Sequence, residues 1–182
     1  MAEILARGWN VAIPEVDMGS DVFVAQDDGA RLTRVQVKTS QATMTSGGAW
    51  MTETLKVPYA QLMREGDEVP LLYVIAARCG RGWDFVVIPQ GDLRELWRRF
   101  ERTREVAPEN GRRLPGRPRK EPGAPRQVAA FDLSFASDDV VGPGGVSLRS
   151  WRNGWDCFEL LTLPSESPGP ATTPRRSSNR GR

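Results

Sequence analysis

Seven consecutive residues, Leu71 to Ala77, constrain the fold of this 182-residue chain more than any other stretch. An uninterrupted apolar run of this length is typical of a central strand that is buried in a β-sheet. After a turn at Gly80–Gly82, residues Trp83 to Ile88 predict a second strand. At this length one domain with a substantial core is expected, and the sheet is its centre.

Two helices are predicted around these strands. Residues Pro58 to Gly66 begin with Pro and end with Gly, which favours a short helix. Residues Asp92 to Arg104 form a stronger candidate, because Asp92 is a suitable N-cap and Glu95 follows three residues later. Apolar residues then fall on one helical face: Leu93, Leu96, Trp97 and Phe100. Strands and helices together indicate a mixed α/β fold.

Further short strands are predicted on both sides of this region, at Val11–Pro14, Asp21–Ala25, Leu32–Thr39, Val128–Phe135, Val146–Trp151 and Trp155–Leu161. The sequence Asp-Asp-Gly at residues 27–29 predicts a turn that joins the second strand to the third. Residues Ser40 to Gly48 are small and polar, so a loop is expected there.

The chain contains no histidine, and this absence excludes several kinds of chemistry. Ser-His-Asp and Cys-His catalysis, histidine-dependent nucleases and the usual zinc sites are excluded, so a metal would be Mg²⁺ or Mn²⁺ bound by oxygen. Cys79 and Cys157 form no Cys-x-x-Cys pair and are expected to be buried thiols in a reducing cytoplasm. Neither a secretory signal nor a membrane-spanning segment is expected.

Composition divides the chain into four segments. Residues 105–127 are rich in Pro, Gly and Arg, and we expect a basic linker or exposed loop. Residues 1–104 are expected to form the main domain and residues 128–163 a β-rich C-terminal extension, whereas residues 164–182 are expected to be disordered. Both folded parts are mildly acidic, so the positive charge is concentrated in the linker and the tail.

The second and third predicted strands form a hairpin that groups polar side chains. If its turn is centred between Asp28 and Gly29, Asp21 lies opposite Gln36, and cross-strand neighbours point to the same face. Lys38 is two residues beyond Gln36 and therefore shares that face. The valines of both strands take the other face and can pack into the core: Val22, Val24, Val35 and Val37.

This trio of polar residues suits phosphodiester hydrolysis. Asp21 would bind Mg²⁺ directly, and the side-chain carbonyl of Gln36 and the backbone carbonyl of Val37 would complete the protein's oxygen ligands. The Lys38 ammonium would contact the scissile phosphate or favour a hydroxide nucleophile. Because 22 of the 25 basic residues are Arg, a Lys here suggests that a compact ammonium is needed. The structural alternative is a solvated strand face.

The segment GWNVAIPEVDMGSDVFV, followed after the turn by RVQVKTS, resembles the PD-(D/E)XK nuclease superfamily. Ser20-Asp21 stands at the PD position and Gln36-Val37-Lys38 at the (D/E)XK position. The Gln variant is similar to Mrr-type restriction enzymes, intron-homing endonucleases and related bacterial domains. Their Asp-x-Gly-x-Asp start is matched by Asp17, Gly19 and the following Asp. The resemblance covers about residues 3–90.

The resemblance implies a restriction-endonuclease-like core, with a central mixed β-sheet flanked by helices and additional C-terminal β-strands. It also implies a metal-dependent endonuclease that hydrolyses phosphodiester bonds in DNA. The superfamily usually has a first helix that often bears a metal-binding Glu; here it is short or begins upstream of Met1, and Glu3 is its remnant. Since Gln36 lacks the usual negative charge, Glu3, Glu15 and Asp17 are further candidate metal ligands.

Double-stranded DNA is the expected partner, with a homodimer left open. Residues 115–120 resemble an AT-hook core without its leading Arg, and the DNA-binding candidates in this segment are Arg112, Arg113, Arg117, Arg119 and Lys120. A solvated basic linker is the alternative for this segment. Trp50, in a Gly-rich polar stretch, is a further candidate for contact with DNA. The alternative function is a catalytically inactive nucleic-acid- or partner-binding protein on the same fold.

Overall fold

The computed structural model describes residues 1–15, 20–25, 32–67, 69–106 and 127–158. The helices in these ranges are α1 (Ala2–Leu5), α2 (Tyr59–Met63) and α3 (Gln90–Val106). The strands are β1 (Asn10–Ala12), β2 (Val22–Ala25), β3 (Thr33–Met44), β4 (Trp50–Thr52), β5 (Leu55–Pro58), β6 (Leu71–Cys79), β7 (Gly82–Pro89), β8 (Val128–Phe131), β9 (Ser134–Phe135) and β10 (Val140–Val141). Short 3₁₀ turns follow at Pro143–Gly145 and Arg149–Trp151. No helix within the described ranges is long and apolar enough to cross a membrane.

β3 is the centre of the main sheet, because it pairs along both of its edges. On one edge it runs parallel to β6, with Arg34 opposite Leu71 and Ala42 opposite Cys79. On the other edge, β2 pairs with the first residues of β3 and β4 pairs with the last, both antiparallel. β1 extends the sheet from β2, β7 from β6, and β9 with β10 from β4. β5 and β8 form a separate antiparallel pair. The predicted mixed α/β class is confirmed.

Two apolar cores cover the two faces of the main sheet, because successive side chains of a strand point to opposite faces. The first, the helix-side core, joins the sheet to α2, α3 and the β5–β8 pair, and its members include Tyr73, Ile75, Leu62, Leu93 and Trp97. The second, the terminal core, joins the sheet to α1 and to the last described residues, and its members include Val35, Val74, Ile4, Trp155 and Phe158. Every residue from Leu71 to Ala77 is buried, as predicted for a central strand.

β3 is longer than the sequence predicted. We expected a strand that ends at Thr39 and a loop over Ser40–Gly48, but β3 continues to Met44. Its pairing with β6 extends to Ala42, and β4 then pairs with the last three residues of β3. Tertiary pairing therefore decides the conformation of a stretch whose local pattern is polar.

The C-terminal segment differs more strongly from its prediction. Residues 146–151 hold a 3₁₀ turn instead of a strand, and the described part of the predicted strand 155–161 is a turn that ends in a short helical stretch. The predicted strand 128–135 is divided between β8 and β9, which belong to different sheets. Leu148 is buried in the helix-side core, and isolated bridges of Ser147 to Val141 and of Arg152 to Val86 take the place of a continuous strand. α3 begins at Gln90, two residues before the predicted N-cap Asp92.

Residues 128–158 share both cores with the main domain. Phe135 packs in the helix-side core, and Trp155 in the terminal core. Arg152 donates two hydrogen bonds to the Asp84 carboxylate, Nε to Oδ1 at 3.0 Å and Nη2 to Oδ2 at 2.5 Å, and its Nη1 donates to the Ala136 carbonyl at 2.9 Å. This guanidinium ties β7 to the chain beyond β9. Residues 107–126 of the predicted linker and the predicted tail 164–182 lie outside the described residues.

Candidate functional site

One edge of β3 is unpaired between the residues that meet β2 and those that meet β4. β2 pairs with β3 as far as Val35, and β4 begins to pair at Ala42. In a strand, the N–H and C=O of one residue point to the same edge, and those of the next residue point to the other. The Arg34 N–H points toward β6, because it donates to the Pro70 carbonyl at 2.9 Å. The backbone N–H and C=O groups of odd-numbered β3 residues therefore point to the other edge. We call the unpaired stretch of that edge, residues 37–40, the open edge.

Asp21 lies at one end of the open edge. Val22 stands opposite Val35, which is the register that the sequence predicted, so Asp21 falls beside Gln36. The Asp21 N–H donates to the Val35 carbonyl at 2.9 Å. Its carboxylate oxygen Oδ2 accepts two hydrogen bonds, from Gln36 Nε2 at 2.6 Å and from the Val37 N–H at 2.7 Å. Oδ1 receives no hydrogen bond from the described residues, and the side chain is exposed. It is therefore available to a ligand.

Gln36 is almost fully buried, with 6% of its surface exposed. Its amide Nε2 points at Asp21, and its carbonyl Oε1 accepts a hydrogen bond from Gln61 Nε2 at 3.2 Å. This orientation is the opposite of the one expected for a metal ligand, in which the carbonyl oxygen faces Asp21. A cation shared by Asp21 and Gln36 would require a half-turn of the Gln36 amide, which exchanges its oxygen and nitrogen.

Gln61 and Gln90 support this arrangement, and sequence reasoning missed both. Gln61 lies on α2, which packs on the same face of the sheet as Gln36. Gln90, at the start of α3, is buried, and its Nε2 donates to the carbonyls of Gln61 at 2.5 Å and Arg64 at 3.0 Å. It thereby adds hydrogen bonds at the end of α2, where the Gln61 carbonyl otherwise accepts a long bond of 3.4 Å from the Arg64 N–H. Neither Gln lies in a motif, so only their tertiary contacts identify them.

Lys38 shares the face of Gln36, as predicted, and lies beside Ile75 of β6. It is half-buried, and its ammonium has no ion pair or hydrogen bond with the described residues. The Val37 carbonyl faces the open edge, as does the Val37 N–H, which donates a hydrogen bond to Asp21. A carboxylate, a backbone carbonyl and an amide side chain thus meet at the open edge, with an ammonium alongside.

The neighbouring ionisable groups have structural partners. Arg34 donates to the Asp67 carboxylate at 2.5 Å and to the Val69 carbonyl at 2.9 Å. Its positive charge is therefore paired within the fold. The Tyr73 hydroxyl, opposite Gln36, is buried and has no hydrogen-bond partner in the described ranges. Burial raises the pKa of Tyr73 well above its ordinary value, more than nearby Arg34 lowers it. Tyr73 therefore stays neutral and cannot act as a general base near neutral pH.

Among the other predicted metal ligands, Glu3 has its own partner within the fold. Glu3 lies on α1, whose Ile4 packs in the terminal core on the opposite face of the sheet, and Glu3 accepts a hydrogen bond from Arg7 at 2.7 Å. Glu15 is exposed, and Asp17 lies outside the described residues. The described ranges contain no group of three or more Asp, Glu, Cys or His side chains placed to hold a metal. Among the described residues, Asp21 is the carboxylate at the open edge on which a metal site would depend.

Of the predicted DNA-binding residues, Trp50 lies within the described ranges. The cations of the linker, Arg112, Arg113, Arg117, Arg119 and Lys120, lie outside the described residues. Trp50 begins β4 and packs, half-buried, against the helix-side core. Its ring lies so close to Gly80 that a Cβ there would be 3.1 Å from it. Trp50 therefore has a packing role in the fold.

Comparisons of the chain with protein-family models, with curated proteins and with solved structures gave no significant match. The geometry of the open edge and the motif that occupies it are therefore the basis for a functional proposal.

Proposed function

We propose that the open edge is the metal-binding and catalytic site of a Mg²⁺- or Mn²⁺-dependent nuclease that hydrolyses phosphodiester bonds in DNA. The observation that carries this proposal is the contact of the Asp21 carboxylate with both Gln36 and Val37 at an unpaired strand edge. Lys38, two residues further along the same face, supplies the cation that a phosphodiester substrate requires.

The topology around this edge supports a restriction-endonuclease-like core. β1, β2 and β3 are consecutive antiparallel strands, and α2 lies between β3 and the parallel strand β6. Helices α2 and α3 pack on one face of the sheet, and α1 packs on the other. This arrangement agrees with the central mixed sheet flanked by helices that the PD-(D/E)XK resemblance implies.

The donor set has the chemistry that Mg²⁺ requires. Asp21 Oδ1 and the Val37 carbonyl are hard oxygen ligands, and the Gln36 carbonyl becomes a third after the half-turn of its amide. Gln61 can accept this half-turn, because its own amide can present either an oxygen or a nitrogen to Gln36. A bound Mg²⁺ would stabilise the negative charge that develops on the scissile phosphate.

Lys38 acts on the same phosphate in this proposal. Its ammonium has no carboxylate partner among the described residues, so its charge is free to meet an anion. Half-burial lowers the local dielectric constant and strengthens that attraction. Lys38 therefore donates to a phosphate oxygen and favours the ionised form of an attacking water molecule.

A catalytically inactive binding protein is the second candidate, and two observations favour it. Gln36 turns its amide nitrogen, rather than its oxygen, toward Asp21. No further acidic side chain of the described ranges joins Asp21 in a metal-holding cluster. In this case the same fold holds DNA or a protein partner without cleaving it.

Cleavage of supercoiled plasmid by the full chain separates the two candidates. We expect nicked product with Mg²⁺ or Mn²⁺ and none with EDTA. Lys38→Ala should slow nicking on the order of 100-fold, the typical effect of losing one group that stabilises transition-state charge. The matched control is Lys56→Ala, because Lys56 is exposed on β5, outside the main sheet, and should leave nicking unchanged. Intact plasmid with both metals would contradict the nuclease proposal and favour the binding protein.

A further inference from the structure

The face of the main sheet that carries α1 is only partly covered. Trp155 and α1 pack over Val37 and Val74 in the terminal core. Further along the same face of the sheet, Trp83 of β7 is 54% exposed, and Arg78 of β6 and Gln41 of β3 are also exposed. Trp83 stands opposite Arg78 in the β6–β7 pair, and Arg78 stands opposite Gln41 in the β3–β6 pair. These three residues form a continuous row across an uncovered sheet surface.

Two adjoining cavities lie on this surface. The first, about 320 Å³, has mainly apolar walls and lies between α1 and the sheet. The second, about 250 Å³, is polar and is lined by Gln41, Glu53 and Arg78. Trp83 and Thr39 line both cavities, so the two form one groove, which we call the open-face groove.

The walls of the apolar cavity suit a flat aromatic ring. They include Ile4, Val74, Ala76 and Phe85, with the Trp83 indole at the rim. Isolated exposed aromatic residues are common on protein surfaces. Here, however, the exposed indole separates an apolar cavity from a cation. This combination is typical of surfaces on which unpaired nucleobases stack.

The positive charge of Arg78 would attract the phosphate of such a ligand. The Arg78 guanidinium has no ion pair with the described residues, and neither has that of Arg81 at the tip of the same hairpin. Glu53 also lines the polar cavity, and its carboxylate would repel a phosphate, so the anion is expected on the Arg78 side. The Thr39 hydroxyl, at the junction of the two cavities, offers a hydrogen bond to the polar edge of a base.

We propose that the open-face groove binds one unpaired nucleotide of a nucleic acid, with its base in the apolar cavity against Trp83 and its phosphate beside Arg78. The groove adjoins the open edge, because the side chains of Val37 and Thr39 line it while their backbone groups face that edge. This proposal rests on the proposed nuclease function, and it specifies the substrate as DNA that presents an unpaired base.

Binding of a fluorescent single-stranded oligothymidylate tests this proposal, with an abasic oligonucleotide of the same length as the reference. Anisotropy is measured with the full chain in EDTA, so that cleavage does not contribute. We expect wild type to prefer the base-bearing strand, and Trp83→Ala to reduce that preference on the order of ten-fold, as expected for the loss of one stacking contact. Trp83→Phe should retain part of it.

The control variant is Met44→Ala, because Met44 is also strongly exposed but lies on the opposite face of β3. It should leave the preference unchanged. Equal affinity of wild type for the two oligonucleotides, or an unchanged preference in Trp83→Ala, would overturn the proposal. Since this assay needs no metal, its failure is distinguishable from an absence of plasmid nicking, which tests the nuclease function.

Discussion

At the scale of single residues, the orientation of the Gln36 amide decides how the open edge can bind a cation. Its Nε2 donates to Asp21 at 2.6 Å, and its Oε1 accepts from Gln61 at 3.2 Å. A Glu at position 36 has no N–H to donate and would place a second carboxylate against Asp21. Like charges at this separation repel each other unless a cation lies between them.

We therefore expect Gln36→Glu to lower the melting temperature without divalent cations and to restore it with Mg²⁺. The Mg²⁺-dependent rise should exceed that of wild type, because a ligand that binds only the folded state stabilises it in proportion to its affinity. Thermal unfolding across an Mg²⁺ titration measures both effects. An equal response in the two proteins would show that position 36 does not contact the metal.

At the scale of elements, α2 depends on Gln90 more than on its own sequence. The helix has five residues and no side-chain cap, and Gln90 satisfies the carbonyls of its last residues. Gln90→Ala would leave the buried Leu62 carbonyl without a partner among the described residues, which costs about 1–3 kcal/mol. The Gln61 and Arg64 carbonyls would keep bonds from the Arg64 N–H and from Arg94. Because α2 carries Gln61, the loss should also weaken the support of Gln36.

Urea unfolding measures this cost as a reduced free energy of unfolding. The matched control is Gln41→Ala, because Gln41 is exposed and makes only long hydrogen bonds, of 3.3 Å. Its effect should stay below about 0.5 kcal/mol, as is usual for surface positions. Equal effects of the two variants would show that Gln90 does not hold α2.

The same elements show what can be predicted from sequence. The apolar run of β6 and the alternation around Val35 define faces that only one register satisfies, so burial and the pairing of Asp21 with Gln36 could be predicted. The end of β3 could not, because residues 40–44 lack the alternation of a strand and are held by β4 and β6. Gln61 and Gln90 were missed for a related reason. Their contacts join elements that are distant in sequence and leave no local pattern.

At the scale of the whole molecule, Arg152 connects parts of the chain that are far apart. Its bonds to Asp84 and to the Ala136 carbonyl join β7, the segment after β9 and the C-terminal segment. Hydrogen bonding with Asp84 raises the pKa of Arg152 above its ordinary value. With side chains that are 21% and 16% exposed, the two partners of this ion pair are partly buried.

We expect Arg152→Leu to lower the free energy of unfolding by about 2–4 kcal/mol, because the partly buried Asp84 carboxylate loses its partner. Arg152→Lys should recover only part of this loss, since an ammonium cannot form the paired hydrogen bonds of a guanidinium. Chemical denaturation checks both. The exposed pair Arg99–Glu95 provides the control, and Arg99→Leu should cost less than about 1 kcal/mol.

The basic segment 105–127 is expected to add affinity for DNA without taking part in cleavage. Replacement of Arg112, Arg113, Arg117, Arg119 and Lys120 by Ser should weaken binding and flatten its salt dependence, because fewer counterions are released from the phosphates. An AT-hook-like mode further implies a preference for A·T-rich duplex that is lost with Arg117. Affinities for A·T-rich and G·C-rich duplexes across a salt series measure both. If the variant has the same DNA affinity and the same salt dependence as wild type, the segment only connects the parts of the chain on either side of it.

The central claim is that Asp21 makes the open edge a metal-dependent nuclease site. The most direct test is the rate of plasmid nicking in Mg²⁺ by wild type and by Asp21→Ala, with Asp21→Asn as a second variant that keeps a hydrogen-bond acceptor. Loss of the two hydrogen bonds at Oδ2 should cost Asp21→Ala roughly 1–3 kcal/mol of stability, so circular dichroism must first show that it is folded. We expect nicking by wild type that requires the metal, and at least about a 100-fold loss in both variants. Nicking at the wild-type rate by folded Asp21→Ala would contradict the assignment.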